Sequence, residues 1–246
     1  MNPTPLYICA TACFHCTPNT TDSELKRHLK QHYGIDTRRL SRLSLLSLSG
    51  ALLLAQQTQI APQTALYLAA SFGSPSVFHN MMENVWQHHI AKPFDFLAHL
   101  HNAPVFHTAA ALQTQGASVF QAITPQPASW FMPLMLASNN LIANALPSTL
   151  VGWCYEAQPN SPHTQEGSCW LLIQSATTAP AAQLHIGYPT DTAHAFVSSS
   201  PHYLTAISQL CHQLSQMPYH GHLPTEGQIS LTLHSQTSIP CYAQQF

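Results

Sequence analysis

Strand-length apolar segments alternate with longer helix-like segments along most of this sequence. LYICATACF at 6–14 and TALYLAASFG at 64–73 are typical of buried strands, whereas SELKRHLKQHYG at 23–34 ends in a glycine, a common helix stop signal. This alternation favours a layered α/β sheet over a helical bundle or a β-sandwich. No internal repeat and no low-complexity linker divides the chain.

The same pattern predicts elements over the whole length. Helices are expected over residues 23–34, 37–57, 76–89, 101–116, 127–146 and 200–217, and strands over residues 6–14, 64–73, 117–123, 148–156, 168–175, 182–188 and 228–235. Polar and proline-containing stretches predict surface loops at 156–167 and 217–227.

Charged side chains are scarce. The 246 residues include 7 Lys and Arg and 9 Asp and Glu, or 7% of the chain, where about 25% is usual. A surface so poor in charge resists self-association badly. Two interpretations stay open: a compositional habit of the source organism, or a surface that a partner covers.

Six of the seven basic residues lie between positions 26 and 42. A solvated helix face is the usual meaning of such a run, and a docking patch for an acidic partner such as an acyl carrier protein is the alternative. Asp22 and Glu24 lie close by, and no other basic stretch follows. The sequence therefore argues against nucleic-acid binding.

The sequence favours a cytoplasmic protein with reduced thiols. Its start has no signal-peptide pattern, and its longest apolar run, at 43–55, is too short to span a bilayer. Seven cysteines are an odd number, and a chain of this length does not need disulfides.

The stretch CATACFHC contains possible zinc ligands at Cys9, Cys13, His15 and Cys16. Strand alternation predicts Cys9, Cys13 and His15 on one face and Cys16 on the other. No second ligand pair follows at finger-like spacing. We therefore expect buried core residues here, and no metal or cofactor.

ITPQPASWF at 123–131 joins an apolar strand to a helix through a sharp turn. Many enzymes mount a nucleophile at such a turn, because the helix N-terminus stabilises negative charge there. The tip residue here is Gln126, followed by Pro127, which suits a first helical turn. Glutamine cannot act as a nucleophile.

Five segments resemble, in order, those of the β-ketoacyl synthases, the condensing enzymes of fatty-acid and polyketide assembly. RRLSRLSLLSLSGALLLA resembles their early Arg-rich and then apolar helix, and ALYLAASFGSPSVFHNMMENV their strand, glycine turn and helix. KPFDFLAHLHNAPVFHTAAAL carries the HNAP of the shortened ketosynthase-like subfamily. TPQPAS matches the nucleophile segment, and VGWCYEAQP with EGSCWLLIQS two later strands.

The resemblance implies a thiolase-like layered α/β fold, truncated to roughly the N-terminal half of a ketosynthase, with a mixed five-stranded sheet flanked by helices. It covers residues 6 to about 190. We accordingly expect a ketosynthase-like domain over 1–195 and, over 196–246, an extension of one helix and one strand packed on that domain.

Two departures from the family imply a non-catalytic subunit. Gln126 occupies the position of the nucleophilic cysteine, as it does in the chain length factors of type II polyketide synthases. The 56 residues after residue 190 are too few for the half that supplies the two catalytic histidines. The alternative is a malonyl-thioester decarboxylase in which Gln126 holds the thioester carbonyl.

The resemblance also implies a partner, because the family's strand before the nucleophile turn pairs across the subunit interface. Here that strand is 117–123, and we expect a heterodimer with a full-length β-ketoacyl synthase of polyketide or aryl polyene biosynthesis. The residues expected to line the partner contact or the acyl tunnel are His99, Leu100, Phe106, Phe120, Phe131 and Met132.

Overall fold

The structure, a computed structural model, describes residues 5–71, 73–124, 126–144, 146–158, 165–179, 181–187, 196, 198, 200–216, 219–223 and 230–246. Its strands are β1 (Leu6–Cys16), β2 (Ala65–Ala70), β3 (Ser118–Ala122), β4 (Ser148–Tyr155), β5 (Glu166–Gln174), β6 (Ala182–Gly187), β7 (Tyr219–Leu223), β8 (Ser230–Ser235) and β9 (Cys241–Gln245). Its helices are α1 (Asp22–Tyr33), α2 (Arg42–Gln57), α3 (Pro75–His88), α4 (Pro93–His99), α5 (Ala103–Leu112), α6 (Pro127–Trp130), α7 (Met132–Ala143) and α8 (Tyr203–Leu214).

The strands form one mixed sheet in the order β3-β2-β4-β5-β1-β6-β8-β7, with β9 also paired to β1. β2 runs parallel to both β3 and β4, whereas β5 is antiparallel to β4 and to β1. β1 is long enough to pair with β6 through residues 6–8 and with β9 through residues 11–15. The predicted mixed α/β class is confirmed.

The sheet has nine strands in the described part of the chain, so the expected number of five is wrong. The additional strands come largely from the C-terminal part, where β7, β8 and β9 join the same sheet as β1. Residues after 196 thus contribute a helix and three strands to the described structure. The division at residue 195 stays a prediction.

Helices cover both faces of the sheet, because successive side chains of each strand point to opposite sides. On β2, Leu66 and Leu68 pack with α1, α2 and α5, whereas Tyr67 and Ala69 pack with α7 and α8. Both sets of side chains are buried. This doubly covered sheet explains why the central strands read as nearly continuous apolar runs.

Helix α2 lies very close to the sheet where Trp170 of β5 is buried. A Cβ atom added to Gly152 would lie 2.5 Å from the Trp170 ring, and one added to Gly50 would lie 2.9 Å from it. The indole Nε1 donates to the carbonyl of Ser47, at 3.2 Å. The two glycines therefore admit a large ring between helix and sheet.

Some predicted boundaries are wrong for identifiable reasons. The second helix begins at Arg42 and not at 37, because Arg39 adopts a left-handed conformation (φ 61°) and Ser41 caps the helix. The predicted helix 127–146 is two helices, broken at Phe131 (φ −96°). Pro133 has no N–H to bond the carbonyl of Ser129, so the break has a local cause.

Three elements of the described structure were not predicted from the sequence. The helix α4 is only seven residues long, and the predicted loop at 217–227 contains β7. The strand β9, CYAQQ, has no apolar alternation and forms by pairing with β1. Within the predicted loop at 156–167, residues 159–164 lie outside the described residues.

A buried ion pair fixes the start of α2 against the sheet. Arg42 donates from Nε and Nη2 to Glu166 Oε2, at 2.8 and 2.6 Å, and its Nη1 lies 2.7 Å from Asp22 Oδ1. The Glu166 side chain is 2% exposed, and its Oε1 accepts the amide of Ala157. Removing one partner of such a pair leaves an uncompensated buried charge.

We expect Arg42→Ala to lower the free energy of unfolding by roughly 3–5 kcal/mol, because Glu166 is then buried without its cation. Urea-induced unfolding of the purified protein measures this. The matched control is Arg38→Ala, which removes an exposed pair with Asp36 and should leave the midpoint close to that of the wild type. Equal losses in the two variants would contradict the proposed role of the buried pair.

Candidate functional site

Three loops that follow the carboxyl ends of β2, β3 and β4 form the candidate site. The parallel strands β2, β3 and β4 are in register, with Ala70 opposite Ala122 and Ala69 opposite Trp153. The carboxyl ends of parallel strands meet at the same edge, where α/β proteins place their functional groups. Ser74, Gln126 and Glu156 follow these three ends.

The turn after β3 is organised by the hydroxyl of Ser129. This oxygen accepts the amide N–H of Thr124 at 3.1 Å, and the carbonyl of Gln126 lies 2.9 Å from it. The indole of Trp130 donates to the carbonyl of Thr124 at 3.2 Å. These hydrogen bonds tie Thr124 and Gln126 to the start of α6.

Gln126 is the N-cap residue of α6, with an exposed side chain. Its backbone amide donates to Thr124 Oγ1 at 3.3 Å. A carboxamide has donors and acceptors but no ionisable group, so it cannot be activated as a thiolate can. That Gln126 occupies the position of a nucleophile stays a prediction.

Glu156 is a buried carboxyl group at the end of β4. It is 3% exposed, and it accepts hydrogen bonds from Ser74 Oγ at 2.7 Å and from the backbone N–H of Ser76 at 2.8 Å. Burial raises the pKa of this carboxyl, although the hydrogen bonds from Ser76 and Ser74 oppose the rise. Glu156 therefore fastens the first turn of α3 to the sheet.

Aromatic and imidazole rings connect α3 with the edge strand. Phe78 lies 5.2 Å from His99 between ring centroids, His99 lies 5.9 Å from His101, and His101 lies 5.8 Å from Phe120. His99 also packs on Gly73, where an added Cβ would lie 3.2 Å from its ring. These contacts place the α4–α5 turn beside β3.

An apolar surface covers α3, α4 and the outer side of α5. Trp86 is 72% exposed, Phe106 63% and Phe96 60%. We call this set the α3–α5 apolar surface; its members are Phe78, Val85, Trp86, Ile90, Phe94, Phe96, Leu97, Leu100 and Phe106. Nine exposed apolar side chains on three successive helices and their turns favour an interaction surface, because soluble monomers rarely expose large apolar patches.

The strand β3 is at the end of the sheet. Its pairing to β2 uses the carbonyl of Ala117 and the amide of Ile123. By alternation, the backbone groups of Ser118, Phe120 and Ala122 point away from β2. No strand in the described part of the chain pairs with this row of donors and acceptors, which is therefore an open sheet edge of the kind that soluble proteins usually cover or pair.

The structure brings four of the six predicted contact residues to this edge. His99, Leu100 and Phe106 lie on α4 and α5 or the turn between them, and Phe120 lies on β3. Phe131 is buried in the core on the opposite face of the sheet, with its ring 5.9 Å from Phe196, and Met132 follows it. The role of all six residues at a partner contact or an acyl tunnel stays a prediction.

The arginines of the basic run differ in their contacts, since two are ion-paired and one packs on an aromatic ring. Arg42 is buried in its ion pair, and Arg38 is paired to Asp36 at 2.6 Å. The Arg39 guanidinium lies 4.3 Å from the Phe94 ring centroid, a cation–π contact. Arg39 and Lys92 line an open cleft of about 490 Å³ beside the α3–α5 apolar surface.

The expected arrangement of the N-terminal cysteines is wrong for Cys9. Cys9 packs on the same face as Cys16, and Cys13 packs on the other face. The register of β1 against β5 shifts between Ile8 and Ala10, which reverses the alternation at this point. The four residues considered in the sequence do not converge.

The sequence interpretation missed the role of Glu156 and the extent of the α3–α5 apolar surface. One signal was available for Glu156, namely an acidic residue directly after a buried strand. The sequence does not reveal the apolar residues of α4 as a surface, because a seven-residue helix has too few turns to show a periodicity.

No model of a protein family and no curated protein matches this sequence. Solved structures do match. A chain of the complex of the ketosynthase ApeO with its chain length factor ApeC from Xenorhabdus doucetiae aligns with 94% of this chain and 99% of its own length, at 14% identity and a TM-score of 0.62.

Two further structures agree with it. A chain of the ishigamide ketosynthase/chain length factor aligns over 94% of this chain and 99% of its own, at 11% identity and a TM-score of 0.64. The type II complex of AntDE with the acyl-carrier protein AntF gives 10% identity, 76% and 70% coverage, and a TM-score of 0.55. The chain therefore has the fold of ketosynthases and chain length factors, and the predicted likeness is confirmed for the fold.

The helices in the described part of the chain lack the length and apolarity that a membrane crossing requires.

We expect Glu156→Gln to stabilise the protein more at pH 7 than near pH 5. A carboxyl whose pKa is raised in the folded state binds more protons folded than unfolded, so its contribution to stability falls as pH rises above about 4.5. Gln keeps an acceptor for the Ser76 amide and carries no charge. Urea unfolding of variant and wild type at the two pH values measures the difference.

Glu83→Gln is the control, because it removes an exposed carboxylate from α3, the helix whose first turn Glu156 holds. Its effect on the free energy of unfolding should be small, because substitutions of exposed side chains usually change stability little. If the difference in the free energy of unfolding between Glu156→Gln and the wild type is constant with pH, or grows towards pH 5, the pKa of Glu156 is not raised in the folded protein.

Proposed function

We propose that this protein is a non-catalytic, chain-length-factor-like subunit that pairs with an active β-ketoacyl synthase. The pair would serve polyketide or aryl polyene assembly. The observation that carries the proposal is the open edge of β3 beside the α3–α5 apolar surface. The fold likeness supports it, because two of the matched chains belong to complexes of a ketosynthase with a chain length factor.

Pairing at β3 would satisfy the outward backbone groups of Ser118, Phe120 and Ala122. It would also bury exposed rings such as Phe106 and Trp86, whose removal from water is favourable at roughly 25 cal/mol per Å². Obligate interfaces are large and apolar, which matches a surface with so few charges. The scarcity of charge in the sequence then has a structural reason.

Gln126 supports the non-catalytic part of this proposal. A condensing enzyme needs a thiolate at the turn, and the side chain here cannot form one. Among the described cysteines, Cys154 and Cys169 lie within β4 and β5 and are fully buried. Burial raises the pKa of both thiols well above the usual range, which opposes nucleophilic use.

In this proposal the subunit contributes one wall of the acyl tunnel and takes no chemical part in the reaction. His99, Leu100 and Phe120 surround the α4–α5 turn next to the edge strand, and they would close the partner's acyl tunnel from outside. The length of the growing chain would then be limited by side-chain volume, without a covalent step on this subunit. An acyl carrier protein would be the third component of the complex, and it would dock on the exposed side chains of Arg39 and Lys92.

We expect Phe106→Glu to abolish co-purification with a β-ketoacyl synthase that pairs with the wild-type protein, because a charge would be buried in the interface without a partner. The control is Phe246→Glu. Phe246 is also exposed, but it follows β9 on β1, which three strands separate from β3. Co-expression with a tagged ketosynthase and analysis of the captured stoichiometry measure the effect.

Capture of the ketosynthase by both variants, or loss with both, would argue against this surface. Circular dichroism of the Phe106→Glu protein shows whether its secondary structure is retained, so that loss of pairing is not confused with unfolding.

We expect Gln126→Ala to leave both pairing and product length unchanged, since Gln126 has no covalent role in this proposal. The measurement is product analysis by mass spectrometry with the reconstituted complex. Release of CO₂ from malonyl carrier protein by this chain, abolished in Gln126→Ala, would instead favour the decarboxylase alternative.

A further inference from the structure

Four cysteines from distant parts of the chain converge on the sheet face that α8 covers. Cys13 on β1 lies directly opposite Cys169 on β5 in the antiparallel register. Cys211 comes from α8, and Cys241 is the first residue of β9. Cys13, Cys169 and Cys211 are buried in the same core cluster.

The thiols share one buried environment. Cys241 packs against the core that contains Cys13, Cys169 and Cys211, and Cys13 and Cys169 are paired directly across the two strands. Burial raises the pKa of the Cys169 thiol well above its usual range.

An imidazole joins this cluster. The donor atoms of Cys13, His15 and Cys169 all lie within 4.8 Å of one another. The Nε2 atom of His15 lies 3.1 Å from Ser208 Oγ on α8. Its Nδ1 atom is buried and has no hydrogen-bond partner among the described residues, which leaves one ring nitrogen available as a ligand.

Thiols alone would be explained by packing, because a buried cysteine behaves as a small apolar side chain. The buried ring nitrogen of His15 is not explained in this way, since buried polar atoms normally have a partner. Thiolate and imidazole together are the ligands of structural zinc sites, and serine commonly orients or supports a ligand from the second layer.

We propose that Cys13, His15 and Cys169 form a structural binding site for Zn²⁺, with Cys211 of the same buried core as the fourth ligand. Each of the three thiols gives up its proton on binding, so one Zn²⁺ releases three protons, and no electron is transferred. The site joins β1, β5 and α8. It is independent of the proposed function, because it lies on the opposite face of the sheet from α2 and α5.

The hydroxyl of Ser208 has the role of a positioning group. It would hold His15 through Nε2 and leave Nδ1 for the metal. Because the three thiols are buried, we expect the metal to enter during folding and to leave slowly from the folded protein.

The test is the metal content of the full-length protein, co-expressed with its ketosynthase if it requires one, and measured by inductively coupled plasma mass spectrometry. We expect about one Zn²⁺ per chain in the wild type. Refolding from urea in Co²⁺ should give the visible bands of tetrahedral thiolate coordination. Cys169→Ala and His15→Ala should lower metal content at least about tenfold, and Ser208→Ala should weaken Zn²⁺ binding roughly 10–100-fold.

Cys9→Ala is the matched control, because Cys9 is a buried thiol of β1 on the opposite face; its metal content should equal that of the wild type. If the wild type contains no Zn²⁺ and takes up none on refolding, the proposal is refuted without any variant. Unchanged metal content in soluble Cys169→Ala protein would refute it as well.

Discussion

Backbone hydrogen bonding across a single sheet is the constraint on which the rest of this structure depends. Each interior strand has two neighbours, and β1 is long enough to satisfy β5, β6 and β9 together. At β3 the pairing stops with one row of backbone groups still open. The fold therefore contains a place where another chain can continue the sheet, and the exposed rings of α3–α5 lie beside it.

Buried polar groups hold the loops that surround this edge. Glu156 accepts from Ser74 and Ser76 and so fixes the start of α3, while Arg42 and Glu166 fix the start of α2. Neither group takes part in chemistry in our proposal. Their effect is to fix where α2 and α3 begin relative to the sheet.

The two faces of the sheet have different tasks in the proposals made above. One face carries α1, α2 and α5 and leads to the edge where a ketosynthase would dock. The other face carries α7 and α8 and contains the thiols with His15. A metal that joins α8 to β1 and β5 would stabilise the C-terminal part of the chain, whose strands β7, β8 and β9 have no long apolar runs.

The sequence by itself determined the α/β class, the positions of the central strands and helices, and the likeness to the ketosynthase fold. These follow from local patterns: apolar runs, turn residues and the order of motifs along the chain. Tertiary structure decided the nine-stranded sheet, because β7 and β9 have weak local patterns and form only where a neighbouring strand is available. It also decided which thiols meet, since Cys13 and Cys169 are far apart in sequence and the register shift at Ile8 turns Cys9 away. Local pattern cannot specify such contacts, because they depend on which strands become neighbours.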